Sequence, residues 1–260
     1  MELKLENIHS FSKALLPLQR FNDTADLKCS PKMFSLIISR HFPLIITSLQ
    51  ILPPFFTNFL CQNQIFQFQI PIKSFYDIMN SMTHRLYSSM TLSLHPQQPL
   101  IQIALQFRNP RVVDDQEALY HAFPLSPSRE EDVGEIDYGI FFSIESLVFR
   151  FIAIELDDFD ALVTLTNSEV KFSVNDKDII LYKERDECII GGVEIGEESR
   201  FFVYLNPKVL FRDLAEQSAR IWMFKSPRSY SITVAPIGLY AQFCVYFPQI
   251  EEQSKRQRIC

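Results

Sequence analysis

Four stretches of this 260-residue chain carry apolar residues at helical spacing, and between them the pattern switches to a period of two. Phe11, Ala14, Leu15 and Leu18 form one apolar stripe at i, i+3, i+4 and i+7, while Lys13 and Arg20 lie seven residues apart on the opposite face. Pro17 is expected to bend this helix. Phe75, Ile78, Met79 and Met82 repeat the spacing, and Lys73, Asn80 and His84 point the other way. A third stretch, Ser146 to Asp157, is apolar almost all round and suits a buried strand as well as a helix. As a helix it turns Val148, Phe149, Ile152 and Leu156 to a core, and Ser146, Arg150, Ala153 and Asp157 away from it. The fourth opens at a proline, with Leu210, Phe211 and Leu214 inward, Lys208 and Arg212 flanking or opposite, and Arg220 beyond its end. The predicted helices begin near residues 8, 72, 144 and 207, so the first and third are offset by about 136 residues and the second and fourth by about 135. That spacing predicts a duplicated α+β chain: two similar domains, each with two helices on one face of an antiparallel sheet.

The strands expected between the helices alternate cleanly. Phe66, Phe68 and Ile70 alternate with Gln67 and Gln69, and Ile101, Ile103, Leu105 and Phe107 with Gln102, Ala104 and Gln106. Val170, Phe172 and Val174, then Tyr230, Ile232 and Val234, do likewise, and Leu239 to Phe247 is the last predicted strand. All six glycines lie at Gly134 or later, so the first half must turn on Pro, Asn, Ser and Asp. Residues 108–137 combine prolines, serines and the acid run Glu130, Glu131, Asp132, which is linker chemistry. The expected organisation is an N-terminal domain over residues 1–115, a connector over 116–137, a C-terminal domain over 138–252 and a short basic tail over 253–260.

With 47% hydrophobic and 22% charged residues and 24 phenylalanines, the chain is neither disordered nor collagenous. A net charge of −6 argues against coating nucleic acid over the whole surface, but leaves room for a local basic patch. The five cysteines are odd in number and never closely spaced, which predicts a reducing compartment. The N-terminus has no apolar run of signal-peptide length, and Ile140 to Leu156 is broken by Glu145, Arg150 and Glu155; a soluble intracellular protein is expected.

Chemistry is sparse. There is no G-x-S-x-G elbow, phosphate loop, H-E-x-x-H or dinucleotide fingerprint, so no catalytic residue, metal or cofactor is expected. His41 and His84 read as structural or solvated, and Asp157, Asp158 and Asp160 as a solvated helix end rather than a metal site. A soluble enzyme whose site converges only in three dimensions remains a rival, and a deep pocket joining His41 or His121 to acids would favour it. The helix cations Lys13, Arg20, Lys73, Arg150, Lys208 and Arg212 have two readings. They are ordinary solvated faces, or, if all four helices line one concave surface, a positive lining suited to the phosphate backbone.

This pattern resembles the DNA sliding clamps, the family of proliferating cell nuclear antigen and of the nine-one-one checkpoint clamp, over nearly the whole chain. Glu169 to Asp178, EVKFSVNDKD, resembles the strand-turn after the family's third helix, and Val245 to Glu252, VYFPQIEE, its terminal strand. Ser39-Arg40, Pro54-Phe55-Phe56 with Phe59, Ile72-Lys73-Ser74-Phe75 and Lys225-Ser226-Pro227 are most similar to the Rad-nine subunit. The family's early glycine turn is replaced here by Ser30-Pro31-Lys32-Met33. The resemblance implies the DNA clamp fold, with three two-domain subunits joined head to tail into a pseudo-six-fold ring, helices inward.

Edges for that joining are expected at Glu117 to Phe123 and Ile179 to Lys183. The resemblance further implies a non-enzymatic nuclear protein of the DNA-damage checkpoint type, with a homotrimeric replication clamp as the alternative. Its implied partners are double-stranded DNA bound without sequence preference, two other clamp subunits, an ATP-driven loader and client repair proteins, with no membrane. Lys13, Arg20, Lys73, Arg150, Lys208 and Arg212 become the DNA-facing candidates. An apolar client pocket would draw on Ile37, His41, Phe42, Val133, Pro227, Val245 and Phe247. Lys255-Arg256-Gln257-Arg258 reads as a nuclear address or a solvated tail.

Overall fold

The computed structural model describes residues 1–41, 44–61, 65–97, 100–108, 119–128, 137–156, 160–175, 177–226 and 229–248. The chain divides into two compact units, Met1–Ser39 with Ser48–Glu131, and Arg40–Thr47 with the residues from Asp132 onward. Both are α+β, built on antiparallel sheets.

The chain starts with β1 (Glu2–Leu5) and α1 (Ile8–Phe21), then β2 (Ala25–Ser30), β3 (Met33–His41), β4 (Leu44–Ile51), β5 (Asn58–Leu60) and β6 (Phe66–Ile70), all in the first unit except the end of β3 and the first four residues of β4. It continues with α2 (Ile72–His84), β7 (Ser89–Gln97), β8 (Leu100–Arg108), β9 (Leu119–Pro124) and the two-residue β10 (Ser126–Pro127). One sheet runs β5-β1-β7-β8-β9, and β10, β6, β2, β3 and β4 are successive neighbours within a larger one, in which β4 is not an edge. β9 and β10 fall within the expected connector 116–137, so part of that segment is sheet; β9 pairs Phe107 with Leu119 through to Gln102 with Pro124.

α1 forms where its stripe predicts. The Asn7 carboxamide oxygen accepts from the Ser10 amide at 2.9 Å and caps the first turn, and Ile8, Phe11, Ala14, Leu15 and Leu18 are buried. The helix runs through Pro17, which has no N–H to give to the carbonyl of Lys13. α2 buries Ile72, Phe75, Met79 and Met82. The two helices pack together through Phe11, whose ring meets Phe75 edge-on at 6.1 Å and Phe34 of β3 at 6.3 Å. The glycine-free β2–β3 turn is closed by a serine: the Ser30 hydroxyl accepts from the amides of Lys32 at 3.3 Å and Met33 at 3.2 Å.

The second unit has β11 (Phe141–Glu145), α3 (Ser146–Glu155), β12 (Ala161–Leu165), β13 (Glu169–Val174), β14 (Lys177–Tyr182), β15 (Cys188–Gly191) and β16 (Ser199–Val203). It ends with α4 (Lys208–Gln217), β17 (Arg220–Lys225), β18 (Ser229–Pro236) and β19 (Ala241–Pro248). Its strands run β15-β11-β17-β18-β19 and β14-β13-β12-β16. Phe149 of α3 meets Phe211 of α4 at 6.1 Å, and Phe211 stacks on Phe247 of β19 at 6.2 Å. The glycines of this half answer a close approach: a Cβ at Gly192, whose φ is +78°, would stand 1.7 Å from the carbonyl oxygen of Gly139.

The third helix corrects its predicted face. Ser146 and Ala153 are buried with Phe149 and Ile152, and Leu147, Phe151 and Ile154 are the residues turned outward. Ser146 can face inward because its hydroxyl donates to the carbonyl of Ser218 and its amide to that of Ala219, leaving no buried polar atom unsatisfied.

α2 ends in a Schellman motif, with the Tyr87 amide bonded to the carbonyl of Met82 and the Leu86 amide to that of Thr83, both at 3.1 Å. The left-handed position that glycine normally takes is filled by exposed Leu86 at φ 65°. Replacing it removes the Cβ clash, so Leu86→Gly is expected to raise unfolding stability in urea by about 1 kcal/mol. A loss of stability would contradict that account of the turn.

Candidate nucleic-acid interface

The two units offer different helix surfaces. In the first, Lys13 and Arg20 are exposed on α1 and Lys73 and His84 on α2; exposed Asp77, one turn after Lys73, shares that face. These side chains reach solvent because the buried stripes point the other way.

In the second unit the cations are moderated by acids. The Arg150 guanidinium lies 3.8 Å from Glu216, linking α3 to α4, and Arg212 lies 4.0 Å from the buried carboxylate of Asp213. Lys208 is half-buried at the start of α4. The outward face of α3 carries three exposed apolar residues, Leu147 at 76%, Phe151 at 57% and Ile154 at 65%, with exposed Glu155 at the helix end. Residues at i, i+4 and i+7 lie on one side of a helix, so these three make a continuous stripe. Beside it, Phe151, Glu155, Lys177 and Ile179 border an open cleft of about 430 Å³ between α3 and β14.

β14 and β9 each have one sheet neighbour among the described residues. At six residues each they are the longest strands so placed, against three for β5, two for β10, four for β15 and five for β16. They overlap the expected edges Glu117 to Phe123 and Ile179 to Lys183. β14 is held in register against β13 by six residue pairs from Glu169–Tyr182 to Val174–Lys177. Its turn uses Asn175 at φ 51°, a residue that tolerates the left-handed region. Near the turn, the Lys171 ammonium at 2.6 Å and the Ser173 hydroxyl at 2.7 Å hold the Asp178 carboxyl below the usual carboxylate range.

Three of the client-pocket candidates are placed with their side chains. Ile37, Val245 and Phe247 are buried, and Phe247 packs its ring edge-on against Tyr204 at 5.2 Å as well as on Phe211. His41 ends β3, while Phe42, Val133 and Pro227 lie outside the described residues. So do Asp157 and Asp158 of the acidic cluster and the whole basic tail. The His121 ring packs edge-on against Phe107 at 6.1 Å, and its buried Nε2 has no hydrogen-bond partner among the described residues. Among those residues no group of three His, Cys, Asp or Glu side chains could hold a metal, and no helix is long and apolar enough to cross a membrane.

No family model matches the chain, and no curated protein matches it.

The outward stripe of α3 is expected to be dispensable for folding. Phe151→Ser together with Ile154→Ser should change stability by no more than about 0.5 kcal/mol per site and reduce binding of an apolar dye. A loss near the 3–5 kcal/mol, roughly, of a core Phe→Ala change would show that these side chains are buried in the folded protein.

Proposed function

We propose that this chain is one subunit of a ring-shaped DNA sliding clamp of the damage-checkpoint type, a non-enzymatic nuclear protein that encircles duplex DNA and tethers repair and checkpoint proteins. The observation that carries this reading is the pairing scheme, which follows the same order in both units. In the first, β1 lies between β5 and β7, with β8 and β9 following; in the second, β11 lies between β15 and β17, with β18 and β19 following. The remaining strands run β6-β2-β3-β4 and β16-β12-β13-β14. α1 and α3 each follow the first strand of their unit, and α2 and α4 each precede β7 and β17. On this reading the chain is a duplication, and three chains of two domains supply a pseudo-six-fold ring.

Head-to-tail contacts close a ring only if each subunit joins one surface to a different one on its neighbour. β9 and β14 are the surfaces this reading pairs, because a six-residue edge leaves a row of backbone donors and acceptors to be satisfied by another strand. Two further clamp subunits would complete the ring, an ATP-driven loader would open it, and side-chain differences along the edges would select partners. A homotrimeric replication clamp would use the same edges with identical chains.

The DNA contact on this reading is electrostatic and blind to sequence, through side chains that meet phosphates rather than base edges. Lys13, Arg20 and Lys73 are its main carriers, because all three are exposed on α1 and α2, whereas Lys208 is half-buried and α3 exposes Leu147, Phe151 and Ile154. The test is the salt dependence of duplex binding by the assembled ring. Lys13→Ala, Arg20→Ala and Lys73→Ala together should weaken binding to all sequences alike and flatten the log–log salt slope by about 0.9 for each phosphate contact removed. An unchanged slope would discard the assignment.

A further inference from the structure

We propose that the face of β15, β11 and β17 turned away from the second unit's core is a docking site for an extended, arginine- or lysine-bearing segment of another protein. The pairing register sets this face. Gly191, Phe141 and Phe224 form one row across the three strands, and Ile189, Ser143 and Trp222 form the row two residues away. Residues two apart on a strand share a face, so these six stand together. Phe142 points the other way and packs on Phe172 and Phe201.

The rings on this face make a ladder. The Phe141 ring centre lies 5.6 Å from that of Trp222 and 5.7 Å from that of Phe224, and Tyr138 meets Phe224 edge-on at 5.1 Å. Phe141 leans toward the edge strand over Gly191, where a Cβ would stand 2.4 Å from the ring. The ladder is open to solvent: Tyr138 is 60% and Ile189 43% exposed, and Phe141 and Trp222 are half-buried. β15 has one sheet neighbour among the described residues, so its other side offers backbone groups to an added strand.

Charge decides what fits there. Exposed rings alone suit stacked bases as well as cations. The border, however, is acidic. Asp137, whose carboxylate accepts from the Gly139 amide at 2.8 Å, is exposed, and the loop that leaves β15 carries exposed Glu194, Glu197 and Glu198. That loop starts against the ladder, since a Cβ at Gly192 would stand 3.0 Å from the Ile140 Cα. Two cations beside it are engaged: Arg200 pairs with Glu198, and Arg220 donates to the Ser143 hydroxyl at 3.3 Å and the Ser143 carbonyl at 3.2 Å. Such a border repels a phosphate backbone, whereas a guanidinium or ammonium gains from the rings and from the acids together. The occupant is therefore a basic peptide laid along β15, with a cationic side chain opposite Gly191, where no side chain of β15 covers the Phe141 ring.

Trp222 is the chain's only tryptophan, so its emission reports on this face. The probe is an eight-residue peptide of alternating arginine and threonine, titrated into the full chain at physiological salt, with an alternating glutamate–threonine peptide and oligo-dT as controls. The expected result is a saturable change in Trp222 emission with the arginine peptide alone. Tyr138→Ser should weaken that binding by about two- to fivefold, and Glu194→Lys with Glu197→Lys by at least as much, without a change in thermal unfolding, because all three side chains are exposed. The charge-matched pair Glu6→Lys with Asp77→Lys, exposed in the first unit, should leave binding unchanged. An equal loss in that pair would reduce the effect to attraction by a net acidic body and overturn the proposal. So would the absence of a saturable change, tighter binding of oligo-dT than of the arginine peptide, or tighter peptide binding once residues 253–260 are removed, which would make the chain's own basic tail the occupant. The titration uses the single chain and no DNA circle, so its failure is distinct from failure of the clamp reading.

Discussion

Each unit depends on a pair of helices whose apolar stripes close over sheet, with a phenylalanine at the centre of the contact. In the first, Phe11 touches Phe34 and Phe75 and so ties α1 to α2 and to β3. In the second, Phe149, Phe211 and Phe247 tie α3 to α4 and to β19. Burying such a ring contributes about 1.5–3 kcal/mol, and edge-on or offset ring contacts add to that. Once these faces are committed inward, what remains for solvent is decided by phase alone: the next residues round each helix become the surface.

That commitment has opposite consequences in the two units. On α1 and α2 it exposes Lys13, Arg20 and Lys73, which is the arrangement a phosphate-tracking surface needs. On α3 it exposes Leu147, Phe151 and Ile154 instead, next to the open edge β14 and the cleft at Phe151 and Ile179. Attraction for a duplex would therefore be uneven around the proposed ring, stronger over each first unit than over each second. An exposed apolar stripe is also costly to leave in water, which suits a surface covered in an assembly better than one facing a polyanion.

The parts of the fold legible in the sequence are those where hydrophobic period is unambiguous. α1 and α2 begin at Ile8 and Ile72, where the stripes of Phe11 and Phe75 place them, and β6, β8 and β13 match their alternating runs. The phase of α3 was not legible because a segment apolar on every side has no preferred face by periodicity. It is the backbone carbonyls of Ser218 and Ala219, 72 and 73 residues away in sequence, that draw Ser146 inward and turn Leu147 out. β9 overlaps the edge that the resemblance implies at Glu117 to Phe123, whereas composition alone reads that stretch as linker, since pairing with β8 makes it a strand. Of the candidate site, the exposure of Lys13, Arg20 and Lys73 followed from the stripes, whereas the acid beside Arg150 and the rings packed around Phe247 are tertiary facts that no local spacing encodes.

The central claim is topological: a closed protein ring threaded by duplex DNA. It is tested most directly by assembling this chain with its partner subunits and an ATP-driven loader on a closed circular duplex, passing the complex through a sizing column in high salt, and cutting the circle once. The account predicts that the protein stays with the intact circle and leaves after the cut, because a ring slides off a free end without breaking any contact. Retention that is the same before and after cutting, or loss from the intact circle in high salt, would contradict it.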